Sequence, residues 1–325
     1  MEKMDEMDEM SRFLKFYETM VKIRTFEQKA DVLFSQNVLP GFLHLYIGEE
    51  AIATGVCAAL EKTDYITSTH RGHGHLIAKG GDVKKMFAEL LGRETGYCKG
   101  KGGSMHICDM DLGILGSNGI VGAGMPIATG AAYASWYRND GRVAVSFFGD
   151  GASNRGTFHE SLNMASALKL PVIFVCENNL FGVSVDCRKI TNVEDLASRA
   201  AGYGVPGVVA DGNNVEEVYR VTKEAVDRAR RGEGPTMIEF KTWRHFGHFV
   251  GDPCNYRDPA EHTKWLKEDP LPRFEKILIE KGYATEADMQ KIKDDMHKLI
   301  DDAFDMALAE PEPSVDSLMD NVFSN

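Results

Sequence analysis

The 325-residue chain predicts an α/β fold: a mostly parallel, doubly wound sheet with helices on both faces and a helical C-terminal region. Three observations carry that expectation. Short apolar runs of strand type recur along the chain. Stretches of helical periodicity, long enough to serve as crossovers, separate them. Two of the runs, VAVSFFGDG from Val143 and PVIFVCENN from Pro171, stop at polar groups, Asp150 and Asn178-Asn179.

The elements follow in order. The opening MEKMDEMDEM alternates methionine with acids and has neither a basic start nor an apolar core, so it reads as a flexible acidic arm over residues 1–10 rather than a secretory signal. Ser11 is placed to cap a helix in which Phe13, Tyr17, Met20 and Val21 recur at helical spacing, running to about Phe34. A second helix is expected over Glu49 to Leu60 and a short strand around Tyr65 to Thr69. Gly72, Gly74, Gly80 and Gly81 then break the pattern before a helix over Val83 to Leu91. From Gly92 to Gly124 the chain is glycine-rich and aperiodic, a length of irregular segment that usually carries function. Next come a helix over Pro126 to Tyr137, a strand over Val143 to Phe148, a helix over Thr157 to Leu168 and a strand over Val172 to Cys176. Strands at Val208-Val209 and Met237 to Thr242 flank a charged helix from Val215 to Arg231. The main α/β domain, expected to carry the ligand site, spans residues 11–310, helical from about 260, with an extended tail over 311–325.

Composition narrows the function classes. A hydrophobic content of 43% supports a sizeable core. The net charge of -12, with no lysine or arginine stripe, argues against nucleic acid, whose phosphates require clustered cations. No apolar run approaches the roughly 20 residues of a membrane span. Six cysteines without a CxxC pair suit free thiols, and a cytoplasmic location is the expectation.

The two polar strand ends point to chemistry. Ligands of open parallel sheets collect beyond the carboxyl ends of the strands, where Asp150 and Asn179 both fall, one crossover apart. Gly149 and Gly151 let backbone approach a ligand closely, and the helix beginning near Thr157 offers an N-terminus to phosphate. A carboxylate and a carboxamide oxygen are hard ligands of the kind Mg²⁺ accepts beside phosphate oxygens. The bland alternative is two ordinary turns. A rival reading takes the run HRGHGH (His70, His73, His75), with Cys98, His106 and Cys108 nearby, as a zinc site; neither group has a structural-site spacing.

Gly-Asp-Gly followed after nearly thirty residues by Asn-Asn matches the thiamine-diphosphate motif. The surrounding FGDGASNRGTFHESLNMASALKLPVIFVCENNLFGVS resembles the α subunits of the dehydrogenase components of 2-oxo-acid and acetoin dehydrogenase complexes. GFLHLYIGEEA from Gly41, KGKGGSMHI from Lys99, NGIVGAGMPIATGAA from Asn118 and RHFGHFVGDPCNYR from Arg244 extend the likeness over most of the chain.

The resemblance implies a thiamine-diphosphate-binding fold and a set of roles. Asp150 and Asn179 bind Mg²⁺ by side chain and Phe181 by its carbonyl. Gly151 and Ala152 offer amides to the diphosphate, Gly119 and Val121 touch the aminopyrimidine ring, and His70, Arg71 and His248 complete the cofactor site. His248, His73 and His44 are the candidates for proton transfer, because imidazole titrates near working pH. The resemblance further implies a β subunit, which supplies the pyrimidine-binding domain and an activating glutamate, in an α₂β₂ heterotetramer. It also implies transfer of an acetyl unit, through a hydroxyethyl-cofactor intermediate, to a lipoyl-bearing dihydrolipoyl acyltransferase. His70 stands where many pyruvate and branched-chain enzymes carry tyrosine, and Ser-Thr-His-Arg-Gly-His-Gly resembles the acetoin subgroup. The expected substrate is therefore acetoin, with pyruvate or a branched-chain 2-oxo acid as the alternative. Phe249 replaces the serine that is phosphorylated in animal pyruvate enzymes, which puts kinase control at that place in doubt. A thiamine-diphosphate enzyme outside the complexes and a non-catalytic assembly subunit are the other classes in view.

Overall fold

The computed structural model describes residues 2–320 and 322. Five strands form one wholly parallel sheet: β1 (Tyr65–Thr67), β2 (Ala144–Gly149), β3 (Val172–Asn178), β6 (Gly207–Asp211) and β7 (Thr236–Lys241), in the order β1-β2-β3-β7-β6. Two short strands, β4 (Phe181–Gly182) and β5 (Val185–Asp186), make a separate antiparallel hairpin just past the end of β3. The helices are α1 (Glu2–Ser35), α2 (Glu50–Ala58), α3 (His73–Ala78), α4 (Val83–Leu90), α5 (Gly124–Arg138), α6 (Gly156–Ala167), α7 (Val215–Arg230), α8 (Pro259–Leu266), α9 (Pro270–Glu280) and α10 (Glu286–Leu308).

Side-chain alternation along the strands builds two cores. Val145, Phe147, Ile173, Val175, Ile238 and Phe240 point to one face, where helices α1, α2 and α7 cover them. Ala144, Phe148, Val172, Phe174, Cys176 and Met237 point to the other, against α5 and α6. Both faces being dry, the central strands read as continuous apolar runs rather than alternating ones. A third cluster joins Phe13, Phe16, Tyr17 and Met20 of α1 to Leu271, Phe274 and Leu278 of α9. The helical C-terminal region is thus fastened to the rest through α1.

Five expectations need correction. Ser11 does not cap a helix, and residues 2–10 are not a loose arm: α1 begins at Glu2, and Glu9 is held by the Lys281 ammonium at 2.8 Å and the Tyr283 hydroxyl at 3.0 Å. The glycine-rich break after Arg71 contains α3, because Gly74 is there for space rather than for a turn; a Cβ at Gly74 would sit 2.2 Å from the Tyr46 ring. A 3₁₀ turn over Asp150–Asn154 separates β2 from α6, so the first amides past the strand belong to that turn and not to the helix. The tail expected to be extended contains a 3₁₀ turn over Val315–Met319, capped by Ser314 and gripped by Lys101, which donates to the Ser317 carbonyl at 2.6 Å; residues 321 and 323–325 lie outside the described residues.

Helices α2 and α7 approach so closely at Gly55 that an added Cβ would lie 2.6 Å from Val218 Cγ1 and 2.9 Å from the Tyr219 amide nitrogen. Alanine is the better helix former by about 1 kcal/mol, but here it meets main chain that cannot rotate away. Gly55→Ala is expected to destabilise the fold by about 1–3 kcal/mol, read as a lower denaturant midpoint at unchanged slope.

Candidate active site

Beyond the carboxyl ends of β2 and β3 lies a cavity of about 420 Å³. Register places Gly149 of β2 beside Glu177 of β3, so the residues that follow, Asp150 and Asn178-Asn179, emerge at one sheet edge. Asp150, Gly151, Ala152, Asn179 and Phe181 all line the cavity, with His70, Arg71, Val121 and His248. Gly119 lies beside this wall, in the strap 118–122, its Cα facing His106. Ile120 and Val121 of the strap stand 66% and 47% exposed at the cavity mouth.

Asp150 is only 2% exposed, and its Oδ2 has no hydrogen-bond partner among the described residues. Burial pushes its carboxyl up to about 7, slightly offset by its own main chain and by the Arg244 guanidinium. A dry carboxylate oxygen without a partner is costly, and a cation is what satisfies it. Asn179 turns its Nδ2 to Glu49 at 2.7 Å, which fixes the amide so that Oδ1 is left for the cavity side, accepting only a long 3.3 Å contact from the Phe181 amide. Across from them, Gly151 and Gly182 come together so that a Cβ on Gly151 would be 3.3 Å from the Gly182 Cα. Main chain alone walls that part of the cavity. An unpartnered carboxylate, an oriented carboxamide and a bare backbone wall fit a magnesium diphosphate.

Arg71 lines the cavity as expected and also makes contacts that sequence reasoning did not anticipate. Its guanidinium donates to the Leu45 carbonyl and to the His248 carbonyl at 2.8 Å, while Glu49 lies 3.9 Å from Nε. Burial and neighbouring Arg244 lower it to about 10, so it remains charged. The residue therefore ties together three loops as well as facing the cavity.

The histidines separate into two groups. His44, His70 and His248 come together, with ring centroids 4.7, 5.1 and 5.2 Å apart in pairs. Burial, then the charge of Arg71, lowers their pKa values to about 3, 2 and 4, so the imidazoles are neutral. Nδ1 of His44 and Nδ1 of His248 are buried without a hydrogen-bond partner among the described residues. His73 is elsewhere: 1% exposed, its Nδ1 is 3.1 Å from Glu27 and its Nε2 2.9 Å from the Ser104 hydroxyl, and it does not line the cavity. His75 faces Ser68 at 2.7 Å and Glu177 at 2.9 Å. The run HRGHGH thus does not converge on one ion. Cys98 and Cys108 are 3.8 Å apart, but the His106 ring is turned to the Gly102 carbonyl.

Three ionisable cavity residues escaped the sequence reading: Glu49, Glu177 and Arg244. Each is buried. Glu49 is raised by burial and by nearby Glu177. Their signal was present, since Glu49 and Arg244 stand inside GFLHLYIGEEA and RHFGHFVGDPCNYR, but those motifs carried no role for them.

The aperiodic segment is organised by a single carboxylate. Glu89 of α4, 1% exposed, accepts from the amides of Cys98, Gly100, Gly102 and Gly103 at 2.7, 2.9, 2.7 and 3.0 Å. The loop leads directly to Ser104 and so to His73. Glu89→Ala leaves four amides without an acceptor, each costing about 1–3 kcal/mol if it stays dry. The expected result is opening of residues 92–104, measured as new cleavage there under limited proteolysis.

Comparison with known proteins agrees with this architecture. The chain is 47% identical over 311 residues to the α subunit of acetoin:2,6-dichlorophenolindophenol oxidoreductase from Bacillus subtilis, covering 95% of this chain and 93% of that one. It is 44% identical to the protein of the same name from Cupriavidus necator, with the same coverage. It is 40% identical over 310 residues to the pyruvate dehydrogenase E1 component α subunit of Rhizobium meliloti, covering 95% and 89%. The family described as "Dehydrogenase E1 component" matches residues 18–316. On that match and the site beneath it, the chain belongs to the dehydrogenase E1 component family, whose members depend on thiamine diphosphate.

Proposed function

We propose that this chain is the α subunit of a thiamine-diphosphate- and Mg²⁺-dependent acetoin dehydrogenase, active with a β subunit in an α₂β₂ assembly and delivering the acetyl unit to a lipoyl acyltransferase. The observation that carries the metal and cofactor reading is the unpartnered, buried Asp150 Oδ2 one strand away from the oriented Asn179 amide. Asp150, Asn179 and the Phe181 carbonyl would hold Mg²⁺. The amides of Gly151 and Ala152 and the charge of Arg71 would hold the diphosphate. When bound, thiamine diphosphate supplies a nucleophilic carbon for a carbonyl and a sink for the electrons released on carbon–carbon cleavage.

This chain's own contribution is orientation, exclusion of water and proton handling. The neutral imidazoles of His44 and His248, each with an unpartnered Nδ1, can accept a hydrogen bond from a substrate hydroxyl, and although burial and Arg71 make them weaker bases than a free imidazole, they are the groups placed to take its proton. The exposed strap with Ile120 and Val121 leaves the cavity open on one side. That open, partly apolar side supports the β-subunit reading, as do relatives named as α subunits. Acetoin is favoured over pyruvate by the two relatives named for it, at 47% and 44% identity. Six thiols without a disulfide favour the cytoplasm. No helix among the described residues is long and apolar enough to cross a membrane.

The test is to co-express the chain with its β subunit, add thiamine diphosphate and Mg²⁺, and compare dye reduction with acetoin, pyruvate and branched 2-oxo acids. Preference for acetoin is expected. Preference for a 2-oxo acid overturns the substrate and leaves the cofactor site standing.

A further inference from the structure

We propose that Cys98 and Cys108 form a reversible redox site, closing to an intrachain disulfide that clamps the glycine-rich segment behind the cavity mouth. Their sulfur atoms are 3.8 Å apart, both residues are partly exposed, and neither lines the cavity. Cys57, Cys176 and Cys187 are buried, out of reach of a dissolved oxidant. Cys254 sits in the His248 loop with its thiol turned to the Asp252 carbonyl at 3.6 Å.

Main chain anchors both ends of the pair. The Cys98 amide donates to the Glu89 carboxylate at 2.7 Å, and the Cys98 thiol is turned inward, 3.3 Å from the His106 carbonyl. Cys108 lies between Ile107, whose carbonyl accepts from the Ser117 amide at 2.8 Å, and Asp109, which exchanges main-chain bonds with Ile114 at 2.9 and 2.8 Å. Ile114 in turn bridges to Ile66 of β1. Cys98 is therefore fastened to α4 and Cys108 to the sheet. A disulfide bond is about 2.05 Å long, so the sulfurs have to approach by roughly 1.8 Å. Rotation of two side chains covers that distance while the anchored backbone stays in place. Gly102 packs directly on Cys98, where a Cβ would be 3.2 Å from the Cys98 Cβ, and its missing side chain leaves room for the bond.

Closure is an exchange with a small-molecule disulfide. One cysteine thiolate attacks it, forming a mixed disulfide and releasing one thiol; the second cysteine then attacks the protein-bound sulfur, forming the bond between Cys98 and Cys108 and releasing the other thiol. Each attacking thiol gives its proton to the sulfur that leaves. Two protein thiols are oxidised, one disulfide is reduced to two thiols, and a dithiol reductant runs the steps backwards. Burial pushes the Cys98 thiol up to about 11, so little thiolate is present and closure is slow, on the order of minutes to hours. In a reducing compartment the open dithiol is the resting form. The ring that the bond closes contains Ser104, whose hydroxyl is 2.9 Å from His73, and His106, whose ring faces Gly119 of the strap. It also contains Lys101, which grips the C-terminal turn at the Ser317 carbonyl. What the clamp holds is the packing of this loop against the strap, α3 and the tail.

The experiment uses the assembled enzyme, this chain with its β subunit, incubated with oxidised glutathione, quenched by alkylation and digested without reduction for mass spectrometry. A peptide pair linked through Cys98 and Cys108 and released by dithiothreitol is expected. Trypsin cleavage at the exposed Lys99 and Lys101 should slow at least about fivefold in the oxidised enzyme, because cleavage there requires the loop to open. Cys98→Ser and Cys108→Ser should each stop at a glutathione adduct on the remaining cysteine and keep the cleavage rate of the reduced parent. Should one variant fail to assemble, the other decides alone. The proposal is overturned by no reaction at either cysteine, by adducts on both cysteines of the parent with no link between them, by a link that forms only in denaturant, or by a link that leaves cleavage at Lys99 and Lys101 unchanged.

Discussion

An Asp150→Ala chain is expected to lose Mg²⁺-dependent binding of thiamine diphosphate by at least about a hundredfold and, with it, all measurable turnover. The magnitude follows from the loss of a direct anionic ligand, since even groups that only orient a metal ligand cost 10–100-fold. The same substitution has a second, opposite effect. In the unliganded chain Asp150 is a 2% exposed carboxyl whose Oδ2 has no hydrogen-bond partner among the described residues, and an unsatisfied buried polar group costs about 1–3 kcal/mol. Alanine removes that cost. The unliganded variant should therefore melt at the same temperature as the parent or higher, while the stabilisation that Mg²⁺ and thiamine diphosphate confer on the parent disappears. Calorimetry with and without the pair checks both halves. A variant that still gains stability from them would move the metal away from Asp150.

His248→Ala is expected to separate chemistry from binding. The His248 main chain accepts from Arg71 at 2.8 Å and donates to Asp252 at 2.6 Å, and alanine keeps both bonds. The loop should remain in place and cofactor affinity should change little. What is lost is the imidazole with the unpartnered Nδ1 at the cavity wall. General acid–base groups contribute typically 10²–10⁴-fold, so kcat should fall by about that factor. Substrate KM should shift far less. Comparable losses in cofactor affinity and kcat would instead show that the ring positions the cofactor.

His73 sharpens the contrast among the sequence-derived candidates. Glu27 and Ser104 hold both of its ring nitrogens, and it is 1% exposed. Its place among proton-transfer groups came from its neighbours in the chain. Helix α3 starts at His73, so successive histidines leave the backbone in different directions, His73 toward α1 and His75 toward Glu177 of β3. Proximity in HRGHGH says nothing about proximity in space once a helix rotates each residue by about 100°.

By itself the sequence determined the parallel sheet, the alternation of strands with crossover helices and the placement of Asp150 and Asn179 past two strand ends. These are consequences of local periodicity and of parallel topology, both of which are written in short stretches of chain. The register of β2 against β3 then brings the two polar ends to one edge without further information. Tertiary structure alone decided which histidines meet. It also decided that Arg71 ties Leu45 to His248, that Glu49, Glu177 and Arg244 line the cavity, and that residues 2–10 are helical. Those outcomes depend on contacts between segments distant in the chain, and on a burial that no local pattern encodes, because a charged side chain reveals its partner only when the loops that carry both have been packed together.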